Sequence, residues 1–123
     1  LRGSVSKPAI IDDAMIDRYW ELLRFPGNRE ATSLRATLDR EPAMAERIGD
    51  IKAPTLILFG KQDRLINPTA AQTFHERLPG SEVVLLDGIG HLPMEEAPDE
   101  TAAAIADFLK RRLVAPPARP ESR

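Results

Sequence analysis

Cysteine is absent from the 123 residues, which excludes disulfides and thiolate metal sites. Histidine is scarce, with only His75 and His91, so a histidine-rich metal centre is not expected and no cofactor is called for. Neither sign of charge dominates: 17 basic against 19 acidic side chains leave a formal net charge of −2. That balance argues against a nucleic-acid or anionic-membrane partner. The densest basic run, Lys110-Arg111-Arg112, falls where a helix should end, and there it complements the helix dipole. Long apolar runs are missing too. The longest, Thr55 to Phe59, is far too short to span a bilayer. No internal repeat and no signal peptide is visible, although the first residue is Leu1 rather than Met, so the natural N-terminus is expected elsewhere. The lack of cysteine fits a reducing compartment, and a cytoplasmic location is the expectation.

What remains is the ordinary mixture of a soluble globular protein, 42% hydrophobic and 29% charged, in one domain's length of chain. Three regions differ in texture. Residues 1–50 read as helical. Asp12 or Asp13 can cap a helix to about Arg24, with Met15, Ile16, Tyr19, Trp20 and Leu23 at helical spacing. Pro26-Gly27 breaks it. Asn28 can cap a second helix bearing Ala31, Leu34 and Leu38, and a short third turn is expected from Pro42 to Ile48. These amphipathic helices have no sheet of their own to cover.

Residues 51–113 change character. Thr55-Leu56-Ile57-Leu58-Phe59, between Pro54 and Gly60, has the pattern of a strand buried on both faces of a parallel sheet. Asn67-Pro68 opens a helix through Leu78, its inward stripe Ala71, Phe74 and Leu78. Val83 to Leu86 makes a second buried strand. A last helix starts near Pro98 and should bury Ile105, Phe108 and Leu109. Strand, helix, strand, helix implies an α/β fold with parallel strands joined by a crossover. Two strands alone leave both edges bare. Residues 114–123, with three prolines and several charges, read as a disordered tail.

Two titratable groups stand just past the strands' carboxyl ends, where open parallel sheets bind ligands. Asp63 follows Gly60-Lys61-Gln62, and His91 follows Asp87-Gly88-Ile89-Gly90. Each alone has an ordinary alternative: a turn aspartate bonding its own backbone, and a loop histidine satisfying backbone groups. Together they come from consecutive strands expected to be neighbours, so the side chains can pair. A carboxylate on one ring nitrogen then leaves the other as general base.

At these residues the sequence resembles the α/β-hydrolase family. Pro54-Thr55-Leu56-Ile57-Leu58-Phe59-Gly60-Lys61-Gln62-Asp63 looks like the strand that delivers the triad acid. Gly90-His91-Leu92-Pro93-Met94-Glu95-Glu96-Ala97-Pro98 looks like the loop that carries the triad histidine. The resemblance covers about residues 51–113, and the helices before it, including Arg24 to Arg29, are similar to the end of the cap region in esterase-like and haloperoxidase-like members. It implies that Asp63 orients His91 and that His91 activates a nucleophile. Glu96 matches a supportive position. Glu95 and Glu96 could be read as an acid/base pair, but both precede a helix N-terminus, where negative charge is favourable. Asp87 is a rival acid better suited to the turn. His75 falls mid-helix, and Tyr19-Trp20 could either line an acyl pocket or serve as core.

Family members carry their nucleophile on a G-x-S-x-G elbow. None of Ser4, Ser6, Ser33, Ser81 and Ser122 lies in one; Gly3-Ser4-Val5-Ser6-Lys7 lacks the second glycine and a preceding strand. The nucleophile and oxyanion-hole loop are therefore expected N-terminal to residue 1. The chain reads as a C-terminal portion of a hydrolase, inactive alone, whose parent would act on a small ester or acyl compound. Two alternatives stay open: an aspartate nucleophile, as in dehalogenase-like and epoxide-hydrolase-like relatives, and a non-catalytic oligomerising fragment. The bare surfaces lead to the expectation of a homo-oligomer or of pairing with the missing N-terminal part.

Overall fold

The apolar run after Pro54 forms strand β1 (Leu56–Gly60) in the computed structural model, which describes residues 1–38 and 46–113. Strand β2 (Glu82–Leu86) lies beside it in parallel, with Leu56 opposite Glu82 and Gly60 opposite Leu86. Thr55 precedes the strand but still joins the ladder, its carbonyl accepting the Glu82 N–H at 2.9 Å. Among the described residues these two strands are the whole sheet.

Helix α1 (Asp13–Arg24) starts as its sequence suggests: the Asp12 side chain accepts the Met15 N–H at 2.7 Å. Helix α2 (Asn28–Thr37) packs on α1. Its cap differs from expectation, because Gly27, at φ 87°, is the capping residue. Asn28 is already helical, and its side-chain amide donates to the Leu22 carbonyl at 2.7 Å, sealing the end of α1 instead. Of the turn expected at Pro42 to Ile48, residues 42–45 lie outside the described residues; a 3-10 turn occupies Arg47–Asp50. The tail expected at residues 114–123 lies outside them as well.

Helix α3 (Thr69–Arg77) connects the strands and packs on both. It begins one residue after Pro68, with Asn67 accepting the Thr69 N–H at 3.0 Å. A short helix α4 (Pro93–Glu96), unforeseen in the sequence, precedes α5 (Pro98–Leu113), which packs on α4 and on β1. The Thr101 hydroxyl ties the two helices by donating to the Pro93 carbonyl at 2.9 Å.

The core is small: Val5, Met15, Ile57, Ala71, Leu78, Ile89, Ala97 and Phe108. Several residues expected inside are not. Phe74, Ile105 and Leu109 are 41–44% exposed, and Leu85 of β2 is 42% exposed, so β2 is half-covered rather than buried on both faces. On α1 and α2 only Met15 is buried, while Trp20 and Leu34, and Phe25 and Leu38 just past the helix ends, are each more than half exposed. The cause is geometric: among the described residues the sheet has two strands, which offer the helices little surface to cover.

Candidate active site

Both strands end at the same rim, and their exits are laced together. Past β1, the Lys61 N–H donates to the Leu86 carbonyl at 2.9 Å and the Gln62 N–H to the Ile89 carbonyl at 2.8 Å. The Gln62 side-chain oxygen returns the contact by accepting the Ile89 N–H at 3.1 Å. Gly60 allows this closeness, since a Cβ there would fall 2.7 Å from the Ile89 carbonyl carbon.

The lacing carries Asp63 to His91. The imidazole Nδ1 stands 2.8 Å from Asp63 Oδ2. The other carboxylate oxygen accepts the Leu65 and Ile66 N–H groups at 2.8 and 3.0 Å. The Asp63 side chain is 3% exposed and that of His91 32%. Burial works to raise the Asp63 pKa, but the hydrogen bonds from Ile66, His91 and Leu65 outweigh it and hold the carboxyl below its ordinary value. A buried, ionised acceptor of this kind favours the Nδ1–H tautomer. Nε2 has no hydrogen-bond partner among the described residues. Asp63 and His91 border a cleft of about 180 Å³ walled by Leu58, Phe59, Pro93 and Met94. The arrangement sets a carboxylate-paired imidazole beside an apolar recess, a geometry suited to acid–base chemistry.

The two residues singled out in the sequence are therefore brought together. The rival acid Asp87 is not: it is an exposed turn residue paired with Lys61 at 2.9 Å. Glu95 and Glu96 do not act as a pair. Glu95 accepts from Arg18 at 3.0 Å and from the Tyr19 hydroxyl at 3.3 Å. Glu96 accepts from Ser6 and from the Gly90 N–H. Its burial acts to raise its pKa, and the Ser6, Gly90 and Leu92 hydrogen bonds prevail and lower it. His75 meets the Ser81 hydroxyl at 2.9 Å, away from the cleft residues. Tyr19 is half-buried, its pKa raised by burial first and then by Glu95. Trp20 is neither core nor cleft wall: it is 54% exposed, with Arg24 6.0 Å from its ring centre.

One element escaped the sequence reading. The segment Ser4–Ser6 lies along the histidine loop, the Ser4 carbonyl accepting the His91 N–H at 2.8 Å. A serine segment without periodicity gave no sign of it. Among the described residues no group of acidic and histidine side chains could hold a metal ion, and no helix is long and apolar enough to cross a membrane.

The profile of the alpha/beta hydrolase family matches residues 2–104. Lipase 1 of Psychrobacter immobilis is 36% identical over 64 residues, 52% of this chain and 20% of that protein. The uncharacterized hydrolase YugF of Bacillus subtilis (strain 168) is 31% identical over 120 residues, 89% of this chain and 40% of that protein. Among solved structures, a serine hydrolase involved in carbazole degradation (the CarC enzyme) superposes with a TM-score of 0.69 at 28% identity, covering 83% of this chain and 41% of the other. The chain thus spans about two fifths or less of the length of these relatives.

Proposed function

The chain belongs to the alpha/beta hydrolase family, and from that membership we propose that Asp63 and His91 are the acid and the base of a catalytic triad in a serine hydrolase of carboxylic esters. The observation that carries this reading is the 2.8 Å contact between Nδ1 and Asp63 Oδ2, made by a buried carboxylate at the strands' carboxyl rim. In the reaction, Nε2 removes the proton of the nucleophilic serine, which attacks the ester carbonyl. The imidazolium, stabilised by Asp63, gives that proton to the departing alcohol. An acyl-enzyme is left, and His91 then activates water to release the acid. The lipase and serine-hydrolase relatives favour a serine over an aspartate nucleophile.

In this reading the serine and the oxyanion-hole loop come from polypeptide outside residues 1–123. No serine of the chain stands in a G-x-S-x-G elbow, and the relatives are more than twice as long. Residues 1–50 then belong to the cap region and residues 51–113 to the C-terminal part of the core. The exposed apolar residues of α1 and α2 favour pairing with the complementary N-terminal part. A cytoplasmic location goes with the same reading, on the absence of cysteine.

The test is a chimera. Residues 1–123 replace the matching C-terminal part of the Bacillus subtilis hydrolase YugF, and hydrolysis of p-nitrophenyl esters is followed. Expected are turnover by the chimera, its loss in His91→Ala, and none by residues 1–123 alone. A folded chimera indifferent to His91→Ala, or turnover by the chain alone that His91→Ala abolishes, overturns the proposal.

A further inference from the structure

We propose that Glu96 is a positioning residue for His91: its carboxylate straps the segment Ser4–Ser6 against the histidine loop and so fixes the imidazole in front of Asp63. The inference rests on the assignment of His91 as the base.

The strap is continuous in the hydrogen bonds. Glu96 Oε1 accepts the Gly90 N–H at 2.9 Å. Oε2 accepts the Ser6 N–H at 2.8 Å and the Ser6 hydroxyl at 2.5 Å. That hydroxyl is also 2.6 Å from the Gly88 carbonyl, and the Ser4 carbonyl takes the His91 N–H at 2.8 Å. Gly90 and His91 are thus held by Glu96 and Ser4, and the one Ser6 hydroxyl proton is shared between the Glu96 carboxylate and the Gly88 carbonyl. Without Glu96, the loop behind the imidazole would keep only the Ser4 and Gly88 contacts on this side.

The chemistry requires a carboxylate. Each oxygen faces donors, so an amide in its place would turn its NH2 toward either the Ser6 N–H or the Gly90 N–H. Two donors would then confront each other in a half-buried site, which is costly. The packing is close on the same side: a Cβ on Gly90 would stand 2.7 Å from the Ser6 nitrogen and 2.8 Å from Glu96 Oε1. Hydrogen bonds to Ser6 and Gly90 keep the Glu96 carboxyl below its ordinary pKa although burial opposes them, so the acceptor is present at neutral pH. Glu95 has different partners, Arg18 and Tyr19, and provides an internal contrast.

The experiment follows the Nδ1–H proton of His91 by NMR in the 123-residue chain, together with hydrogen exchange of the Gly90 and His91 amides. In the wild type, a downfield imidazole proton that disappears in Asp63→Asn is expected. Glu96→Gln should lose that resonance while its other amides stay dispersed, and its Gly90 and His91 amides should exchange about tenfold faster, the factor that matches roughly one hydrogen bond. Glu95→Gln and Ser6→Thr should behave as wild type, whereas Ser6→Ala should speed exchange at His91. A folded Glu96→Gln with unchanged resonance and exchange overturns the inference and leaves the triad assignment standing. If Glu96→Gln does not fold, Ser6→Ala decides, and wild-type exchange there overturns the inference. A folded wild type without the Nδ1–H signal overturns the triad assignment itself.

Discussion

Gly60, the last residue of β1, lies against the carbonyl of Gly90, the residue before His91, so closely that a methyl group has no room between them. The obstacle is backbone on both sides, which no rotamer change relieves. Gly60→Ala should therefore push the two strand exits apart, costing about 3 kcal/mol. The geometry behind the Asp63–His91 contact should be lost with it. Gly80 is the control. It has φ 86° but open space around its missing Cβ, so Gly80→Ala should cost only about 1 kcal/mol. Urea unfolding of both variants tests the ranking; equal costs would mean that backbone crowding at Gly60 is relieved cheaply.

Asp63 gives a pH dependence of definite sign. Its carboxyl pKa is lower in the folded chain than in the unfolded chain, where the ordinary value is about 3.9. The folded state therefore binds the proton less readily, and the associated stability is fully present above the unfolded value. It is lost as the pH falls below that value through the depressed folded one. Asp63→Ala removes the acceptor of the Leu65, Ile66 and His91 donors and should cost roughly 2–3 kcal/mol near neutral pH. In acid the gap between variant and wild type should narrow. Unfolding midpoints measured across pH check this, and a gap independent of pH would place the effect in packing instead of ionisation.

How much of this was legible in the sequence depended on the range of the interaction. The parallel strands were readable because Thr55 to Phe59 and Val83 to Leu86 are unbroken apolar runs between turn residues. Asp63 and His91 were readable because consecutive parallel strands deliver their exit loops to one rim. Burial was not. The stripes naming Phe74, Ile105 and Leu109 as core depend on a second apolar surface, and periodicity does not report whether the chain provides one. The Ser4–Ser6 contact was hidden for a related reason. It is a pairing between residues some 90 positions apart, made by groups that carry no pattern. Gly27 displaced Asn28 as the cap of α2 because its positive φ turns the chain there, leaving the Asn28 amide free to bond backward.

The cap on α1 is local and should behave as such. Asp12 accepts the Met15 N–H, one of the donors that a helix start cannot satisfy by itself. Asp12→Ala should lower stability by about 1 kcal/mol, and Asp12→Asn, which keeps an acceptor, by much less. Neither change touches the residues lining the cleft, so the Nδ1–H signal of His91 should persist in both. Thermal unfolding followed by circular dichroism measures the first expectation. An equal loss in the two variants would trace the effect to charge near the helix N-terminus rather than to the hydrogen bond.

Trp20 reports on what covers the helices. It is the sole tryptophan, it is 54% exposed, and the still more exposed Leu34 lies on α2, with Phe25 and Leu38 just past the ends of α1 and α2. Single exposed apolar residues are common on protein surfaces, and several on or beside adjoining helices make it testable whether another surface covers them. In dilute solution the indole should emit as a solvated ring and be quenched readily by iodide. Raising the chain concentration, or adding the N-terminal portion of a family member, should shift emission to the blue and protect against quenching as the face is covered. Light scattering on the same samples then separates the two routes: a mass twice that of the chain for self-association, or the sum of both polypeptides for complementation. Phe25→Glu and Leu34→Glu should weaken either assembly while leaving the Asp63–His91 signal intact, because neither residue borders the cleft. Emission from a solvated ring at every concentration and with every partner would show that this face docks nothing, and the bare helices would then need another explanation.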